Sequence, residues 1–217
     1  MKRVAILQSN YIPWKGYFDI LRRVDDFVLY DDCRYTRQDW RNRNRIKTSQ
    51  GLKWLSIPVA VPSSDARIRD VVAADPDWGR RHWETIRWAY SRAEWFGHYR
   101  PALQDLYLAH DERRLSQINR RFLEAVNGML GIGTRLHWSW ELDPAGDRIE
   151  RLIGICHKLG ATEYLTGPAA RAYLDPARFE AAGIRVVRMA YDGYPEYPQL
   201  HGPFAHAVSV LDLILNV

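Results

Sequence analysis

Apolar and polar positions alternate in blocks whose lengths predict strands and helices. Residues 4–8 and 26–30 are short apolar runs of strand length. Between them, residues 16–24 place four apolar side chains at helical spacing, namely Phe18, Ile20, Leu21 and Val24. A strand, a helix and a second strand in this order predict a βαβ unit with parallel strands and a right-handed crossover.

The rest of the chain resumes this alternation after a helical middle. Further strands are predicted at 54–61, 161–166 and 184–189, and Gly167-Pro168 opens a helix. The other predicted helices are 77–92, a segment around 101–109, 115–130, 147–159 and 204–216. We therefore expect an α/β fold of Rossmann-like type, with a mostly parallel sheet flanked by helices. The length of 217 residues fits a single domain, residues 1–217, with a helical insertion at about 77–131.

Composition excludes several classes of protein. Hydrophobic residues make up 47% of the chain and charged residues 26%, which is typical of globular proteins and not of disordered or fibrous ones. The apolar runs are too short to span a membrane, and the first one breaks at Gln8, too early for a signal peptide, so we expect a cytoplasmic protein. The net charge of +5 favours anionic partners. Cys33 and Cys156 form no redox or metal motif, and we expect both to be reduced packing residues.

Polar side chains follow the first two predicted strands. Gln8, Asn10 and Tyr11 stand in the loop after the first strand, where ligands of open α/β sheets bind. Asp31 and Asp32 come directly after the second strand, and one of them is expected to face a site. These carboxylates suit a sugar hydroxyl or a general base, whereas the alternative is a set of ordinary turn formers. No glycine-rich dinucleotide or phosphate-loop motif is present, and we expect no metal site.

Residues 34–47 form the densest basic stretch of the chain. Arg37, Arg43 and Asn44 are candidates for holding phosphate, and Trp40 is a candidate for stacking on a ring. Interleaved aromatic and basic residues also suit single-stranded nucleic acid. Because the other basic residues are scattered among acids, we favour a pocket for a phosphorylated small molecule and expect no nucleic acid partner.

Histidine is the usual base near neutral pH, which makes His82 and His206 the preferred catalytic candidates, followed by Asp32. A histidine in a helix is more often structural. Gln199 is a further candidate for binding the substrate. Neither cysteine lies beside a base that would activate it as a nucleophile.

Collinear motifs over nearly the whole chain resemble the WbqC-like family. They are 8-QSNYIPWKGYF-18, 30-YDDCRYTR-37, 39-DWRNRNRI-46, 54-WLSIPV-59, 82-HW-83, 164-YLTGPAA-170 and 194-YPEYPQ-199, followed by Phe204 and 208-VSVLDL-213. The resemblance implies a cytoplasmic step on a nucleotide-linked or lipid-linked sugar, since members of that family are associated with bacterial surface polysaccharide and O-antigen gene clusters. Many members carry His where Leu7 stands here, which turns the search for a base toward His82 and His206.

These observations lead to one functional hypothesis. The chain is expected to be a transferase of surface-glycan (O-antigen or lipopolysaccharide) biosynthesis that moves an acyl or aminoacyl group to the amine of a nucleotide-linked amino sugar. No tightly bound cofactor is expected, and an acyl-carrier-protein or coenzyme A thioester is the expected co-substrate. One alternative is nucleotidyl or glycosyl transfer on a nucleotide sugar. Another is a non-catalytic nucleic-acid-binding or scaffold protein.

Overall fold

A computed structural model describes all 217 residues of the chain. It divides into two compact units that are interleaved along the sequence. The sheet unit comprises Met1–Ser9, Gly16–Cys33 and Ile132–Tyr194. The helical unit comprises Asn10–Lys15, Arg34–Gly131 and Pro195–Val217. The expectation of one domain with an insertion at about 77–131 stays a prediction.

The sheet unit is built on five parallel strands, which confirms the predicted α/β, Rossmann-like class. Their order across the sheet is β7-β2-β1-β8-β9. The strands are β1 (Arg3–Leu7), β2 (Asp26–Leu29), β7 (Arg135–Trp138), β8 (Glu163–Thr166) and β9 (Arg185–Arg188). Helices α1 (Lys15–Arg22), α5 (Arg148–Lys158) and α6 (Pro176–Ala181) connect them.

Strands β1 and β2 lie inside the sheet, and each has a neighbouring strand on both of its edges. Leu7 pairs with Leu29 in parallel register, so both strands end at the same edge of the sheet. Strand β1 also pairs with β8 on its other side, which makes β1 the central strand. The residues that follow β1 and β2 therefore share the carboxyl edge, as the sequence predicts.

A buried carboxylate, Asp26, stands at the opposite edge of this sheet, at the start of β2. Asp26 is 1% exposed and accepts from Lys2 Nζ at 2.8 Å, Arg135 Nε at 2.8 Å and His137 Nε2 at 2.7 Å. Burial alone would raise the pKa of Asp26, but these hydrogen bonds and charges outweigh burial and lower the pKa to about 2. Asp26 thereby ties the start of the chain to β2 and to β7.

The helical unit contains four helices and two small antiparallel hairpins. The helices are α2 (Trp78–Tyr90), α3 (Phe96–Leu108), α4 (Leu115–Met129) and α7 (Val210–Asn216). The first hairpin joins β3 (Arg43–Thr48) to β4 (Gly51–Ser56), and the second joins β5 (Val59–Ala60) to β6 (Val72–Ala73). Aromatic side chains fill the core, where the Phe122 ring meets the rings of Tyr11 and Tyr107 edge to face.

Several predicted boundaries differ from the structure. The predicted closing helix at 204–216 begins only at Val210, because Ser209 caps it and residues 204–208 are irregular. The helix that opens at Gly167 is a 3-10 helix, Pro168–Ala172. Strands β3 and β7 were not predicted, since charged residues break their apolar pattern. None of the helices has both the length and the hydropathy that crossing a bilayer requires.

Candidate ligand-binding site

The helical unit contains a cavity of about 250 Å³ whose wall combines indole rings with side-chain amides. Its lining residues are Asn10, Pro13, Trp14, Trp40, Asn44 and Ala207. The predicted site residues Asn10, Trp40 and Asn44 therefore meet in one cavity, although they are distant in sequence. Their role in binding a substrate stays a prediction.

The first wall of the cavity is the segment Asn10–Lys15, which lies against β3 and the residues before it. Asn44 Nδ2 donates to the carbonyl oxygen of Ile12 at 2.9 Å. The backbone N–H of Tyr11 donates to the carbonyl oxygen of Trp40 at 3.1 Å. Asn44 is 3% exposed, so these bonds are largely shielded from water and fix the two chain segments to each other.

The backbone of this wall is strained at one residue. Ile12 has a φ of +37°, in the left-handed region that β-branched residues rarely adopt, and it is fully buried. Such strain persists only where surrounding contacts enforce it, and it clusters at functional sites. The hydrogen bond from Asn44 to Ile12 is one such contact.

The opposite wall comes from the chain just before α7. Arg45 Nη2 donates to the carbonyl oxygen of Ala207 at 3.1 Å, and the Ser209 N–H donates to the carbonyl oxygen of Arg45 at 2.8 Å. Ser209 also forms an antiparallel bridge with Trp14. Strand β3 thus holds both walls of the cavity, the first through the side chain of Asn44 and the second through the side chain and the main chain of Arg45.

One amide of the cavity is oriented by a cation. Arg41 Nη1 donates a hydrogen bond to Asn10 Oδ1, and Arg41 Nη2 donates to Asp39 Oδ2 at 3.3 Å. The Arg41 side chain is 11% exposed. The Nδ2 group of Asn10 makes no hydrogen bond within the protein, which leaves a donor for a ligand.

Two tryptophans and two arginines form a platform beside the cavity, namely Trp40, Trp54, Arg43 and Arg45. The Trp40 and Trp54 rings lie 5.5 Å apart, and each residue is 42% exposed. The guanidinium groups of Arg43 and Arg45 lie 4.3 and 5.5 Å from the centre of the Trp54 ring. Arg37 is exposed and has no hydrogen-bond or ion-pair partner. Assigning phosphate to Arg37 and Arg43 stays a prediction.

His82 lies in the aromatic core and not in the lining of the cavity. Its Nδ1 is 2.8 Å from the hydroxyl of Tyr11, and its Nε2 is 3.2 Å from the carbonyl oxygen of Ser56. His82 is 7% exposed, and burial lowers its pKa to about 4. Tyr11 is fully buried, and its hydroxyl oxygen lies 3.0 Å from the hydroxyl oxygen of Tyr107. Both predicted site residues have the surroundings of structural groups, because their polar atoms are already paired.

Replacing Tyr11 with Phe is expected to destabilise the protein by about 2 kcal/mol, because a buried ring nitrogen of His82 loses its partner. Urea unfolding monitored by circular dichroism measures this change. Tyr99→Phe in α3, a partly exposed tyrosine, is the matched control and should change stability by less than about 0.5 kcal/mol. An unchanged midpoint for Tyr11→Phe would contradict the structural reading of this pair.

His206 and Gln199 belong to the chain that precedes α7. His206 is exposed, contacts the Phe204 ring edge to face at 4.6 Å and directly precedes Ala207 of the cavity wall. Gln199 accepts from Lys47 Nζ at 3.0 Å and from the Ala205 N–H at 2.9 Å. The Gln199 amide therefore holds its own loop in place. A contact between Gln199 and the substrate stays a prediction.

The remaining predicted residues belong to the sheet unit. Gln8 Nε2 donates to Cys33 Sγ at 2.7 Å. Asp31 is fully buried and accepts from both the backbone N–H and the hydroxyl of Ser9, at 2.8 and 2.7 Å. These bonds tie the loop after β1 to the end of β2.

Asp32 is partly exposed and accepts from the Ser139 hydroxyl at 2.7 Å. Its neighbour Asp31 is buried, as expected for adjacent side chains of an extended segment. No cluster of three or more His, Cys, Asp or Glu side chains has the geometry of a metal site. Functional roles of the two aspartates stay predictions.

Sequence reasoning missed some residues of the cavity and its surroundings. Pro13, Trp14 and Ala207 line the cavity but were not among the predicted site residues, and Arg45 lay in the predicted basic stretch without a role of its own. Trp14 carried a usable signal, since a tryptophan in a polar loop after a strand is a candidate for stacking on a ligand. Ala207 carried no such signal, because a small residue shows no preference for the wall of a cavity.

Comparison with known proteins matches this chain to a protein family and to a relative. A family model described as "WbqC-like protein family" matches residues 8–217. A protein of Mycobacterium tuberculosis (strain ATCC 25618 / H37Rv), named "Uncharacterized protein Rv1507c", is 49% identical over 218 residues, covering 100% of this chain and 94% of its own length. No solved structure matches the chain.

Proposed function

Since the chain belongs to the WbqC-like protein family, we propose that it is a transferase in the biosynthesis of bacterial surface glycans. It catalyses a cytoplasmic step that moves an acyl or aminoacyl group from a thioester to the amine of a nucleotide-linked amino sugar. The thioester is carried by coenzyme A or by an acyl carrier protein. The observation that carries this proposal is the cavity in which two tryptophans meet two asparagines.

The lining of the cavity suits a single sugar ring. Trp14 and Trp40 offer flat apolar surfaces to the C–H face of a sugar, while amides suit its hydroxyls. A volume of about 250 Å³ lies just below the usual range of about 300–1,000 Å³ for small-molecule pockets. One hexose therefore fits the cavity, whereas the nucleotide of the same substrate would lie outside it.

The platform beside Trp40 has groups that suit the phosphates and the base of a nucleotide. Arg43 lies against Trp54, and Arg37 is exposed nearby in sequence. Guanidinium groups bind phosphate through paired hydrogen bonds, and an exposed indole stacks on a nucleobase. In this scheme Arg37 and Arg43 hold the diphosphate, and Trp54 contacts the base.

The chemical step requires a base. The amine nitrogen attacks the thioester carbonyl carbon and forms a C–N bond, while the carbonyl electron pair moves to oxygen. That pair then returns, the C–S bond breaks, and the proton of the amine passes through the base to the departing thiolate. His206 is the preferred base, because it is exposed and adjoins Ala207 of the cavity. His82 is neutral and buried, and Asp32 belongs to the sheet unit.

Trp40→Ala tests the assignment of the cavity. The wild type is titrated with UDP-, dTDP-, GDP- and CMP-linked sugars by isothermal calorimetry. The ligand that binds is expected to lose at least about tenfold in affinity in Trp40→Ala, because a stacked indole contributes more than about 1.4 kcal/mol. Trp88→Ala is the matched control, since Trp88 is 62% exposed in the same unit and does not line the cavity.

Two results would contradict the proposal. One is equal affinity of the wild type and Trp40→Ala for the sugar nucleotide. The other is an absence of sugar-nucleotide binding together with steep, salt-dependent binding of single-stranded RNA. The second result would favour the alternative of a nucleic-acid-binding protein, whose supporting observation is the exposed stack of Arg43, Trp54 and Trp40.

A further inference from the structure

Asn10 is the one cavity amide whose orientation is set by a charged group. We propose that Asn10, positioned by Arg41, binds the oxygen of the acyl group that the protein transfers. This inference rests on the proposed function and adds a catalytic residue and a positioning residue to it. It assigns the donor that stabilises negative charge on that oxygen during the reaction.

The orientation of the Asn10 amide follows from the chemistry of its partner. A guanidinium group has only donors, so the Asn10 atom that faces Arg41 must be the acceptor Oδ1. The Nδ2 group is then turned away from Arg41 and remains without a partner in the protein. Asn10 lines the cavity, which makes this N–H pair available to an acceptor on a ligand.

The other cavity amide is already used within the protein. Asn44 Nδ2 donates to the carbonyl oxygen of Ile12 at 2.9 Å, and Asn44 Oδ1 accepts from the Arg45 N–H at 2.8 Å. Among the cavity amides, Asn10 Nδ2 is therefore the donor that faces a ligand. Asn10 Oδ1 is paired with Arg41. An acyl oxygen suits this arrangement, whereas the ammonium form of a sugar amine does not.

The Arg41 contact also strengthens the Asn10 donor. The positive charge of the Arg41 guanidinium beside Oδ1 polarises the Asn10 amide and makes its N–H groups better donors, as in other charge-assisted networks. When the amine attacks the thioester, the carbonyl electron pair moves to the acyl oxygen and returns as the C–S bond breaks. A fixed donor aimed at that oxygen acts when its charge is largest, and loss of one such donor commonly costs about 10²–10³-fold in rate.

Binding of two matched probes tests the inference without the unknown thioester. UDP-N-acetylglucosamine carries an acyl oxygen like that of the product, and UDP-glucosamine carries the free amine in its place. The wild type is expected to bind the N-acetyl sugar about tenfold more tightly, which is the effect of one additional hydrogen bond. This preference should disappear in Asn10→Ala and reverse in Asn10→Asp, whose carboxylate keeps the partner Arg41 but offers no donor.

Arg41 is tested by the same ratio of affinities. Arg41→Met releases the Asn10 amide, so the preference for the N-acetyl sugar should fall toward equality, while Arg41→Lys retains part of it. Trp40→Phe is the control, because a smaller ring should weaken both probes and leave their ratio unchanged. A merely structural role of Arg41 would lower both affinities without changing the ratio.

The outcomes separate this inference from the function on which it rests. If the wild type binds both probes and Asn10→Asp leaves their ratio unchanged, the inference is wrong and the proposed function stands. If the wild type binds neither these probes nor any other sugar nucleotide, both are wrong. A preference for the amine probe in the wild type would also overturn the inference.

Discussion

Lowering the pH from 7 to 5 is expected to destabilise the protein by about 2 kcal/mol through His82 alone. An unfolded histidine has a pKa of about 6.5, and burial lowers the pKa of His82 in the folded protein to about 4. Between these values the unfolded chain binds a proton that the folded chain excludes. The stabilising effect is therefore complete above about pH 6.5, falls as the pH decreases, and is lost at about pH 4.

Chemical denaturation at several pH values measures this effect. His82→Gln removes the titrating group and should flatten the dependence between pH 7 and 5, although it lowers stability at pH 7. His98→Gln, at an exposed histidine of α3, is the matched control and should keep the dependence of the wild type. If His82→Gln and the wild type show parallel curves, His82 is not the buried neutral group described above, and its role as a base regains support.

Asp26→Asn is expected to destabilise the protein by about 3 kcal/mol, because it leaves several cations without their shared buried carboxylate. Burial would raise the pKa of Asp26, but hydrogen bonds from Lys2, His137 and Arg135 lower it to about 2. In the unfolded chain the pKa of Asp is about 3.9. The carboxylate therefore contributes about 2.5 kcal/mol above about pH 4, and this contribution is lost as the pH falls to about 2.

Unfolding by urea at pH 7 and at pH 3 checks both parts of this prediction. Asp26→Asn should differ from the wild type at pH 7 and differ less at pH 3, because at pH 3 the unfolded chain is largely protonated at Asp26 and folding must release that proton. Asp70→Asn is a control in the helical unit, at an exposed carboxylate that accepts a hydrogen bond from the Arg67 N–H. An equal effect of Asp26→Asn at both pH values would show that packing, and not charge, determines its contribution.

Much of the sheet unit was predictable because its signals are local. Apolar runs at 4–8 and 26–30 correspond to β1 and β2, and their parallel pairing follows from the helix between them. Strand β7 was not predictable in this way, since Arg135 and His137 interrupt its apolar residues and only its last residue, Trp138, is buried. An edge strand is held by its neighbour, which a local pattern does not record.

The types of residue that line the candidate cavity were predictable, but the individual residues that line it were not. The basic stretch and the loop after β1 both indicated a site, and both contribute to the cavity wall. Adjacent residues nevertheless lie in different surroundings. Asn10 lines the cavity, whereas Tyr11 is fully buried against His82. The next residue, Ile12, has a strained backbone, and no residue preference predicts a positive φ at isoleucine.

By itself the sequence determined the α/β class, the order of the main elements and membership in a family, because these depend on periodicity and collinear motifs. Tertiary structure decided which distant groups meet. It placed Arg41 on Asn10, kept His82 neutral inside an aromatic core, and joined β3 to the chain before α7. Such contacts depend on register and burial between segments far apart in the chain, and burial, not residue type, sets the charge state of a histidine.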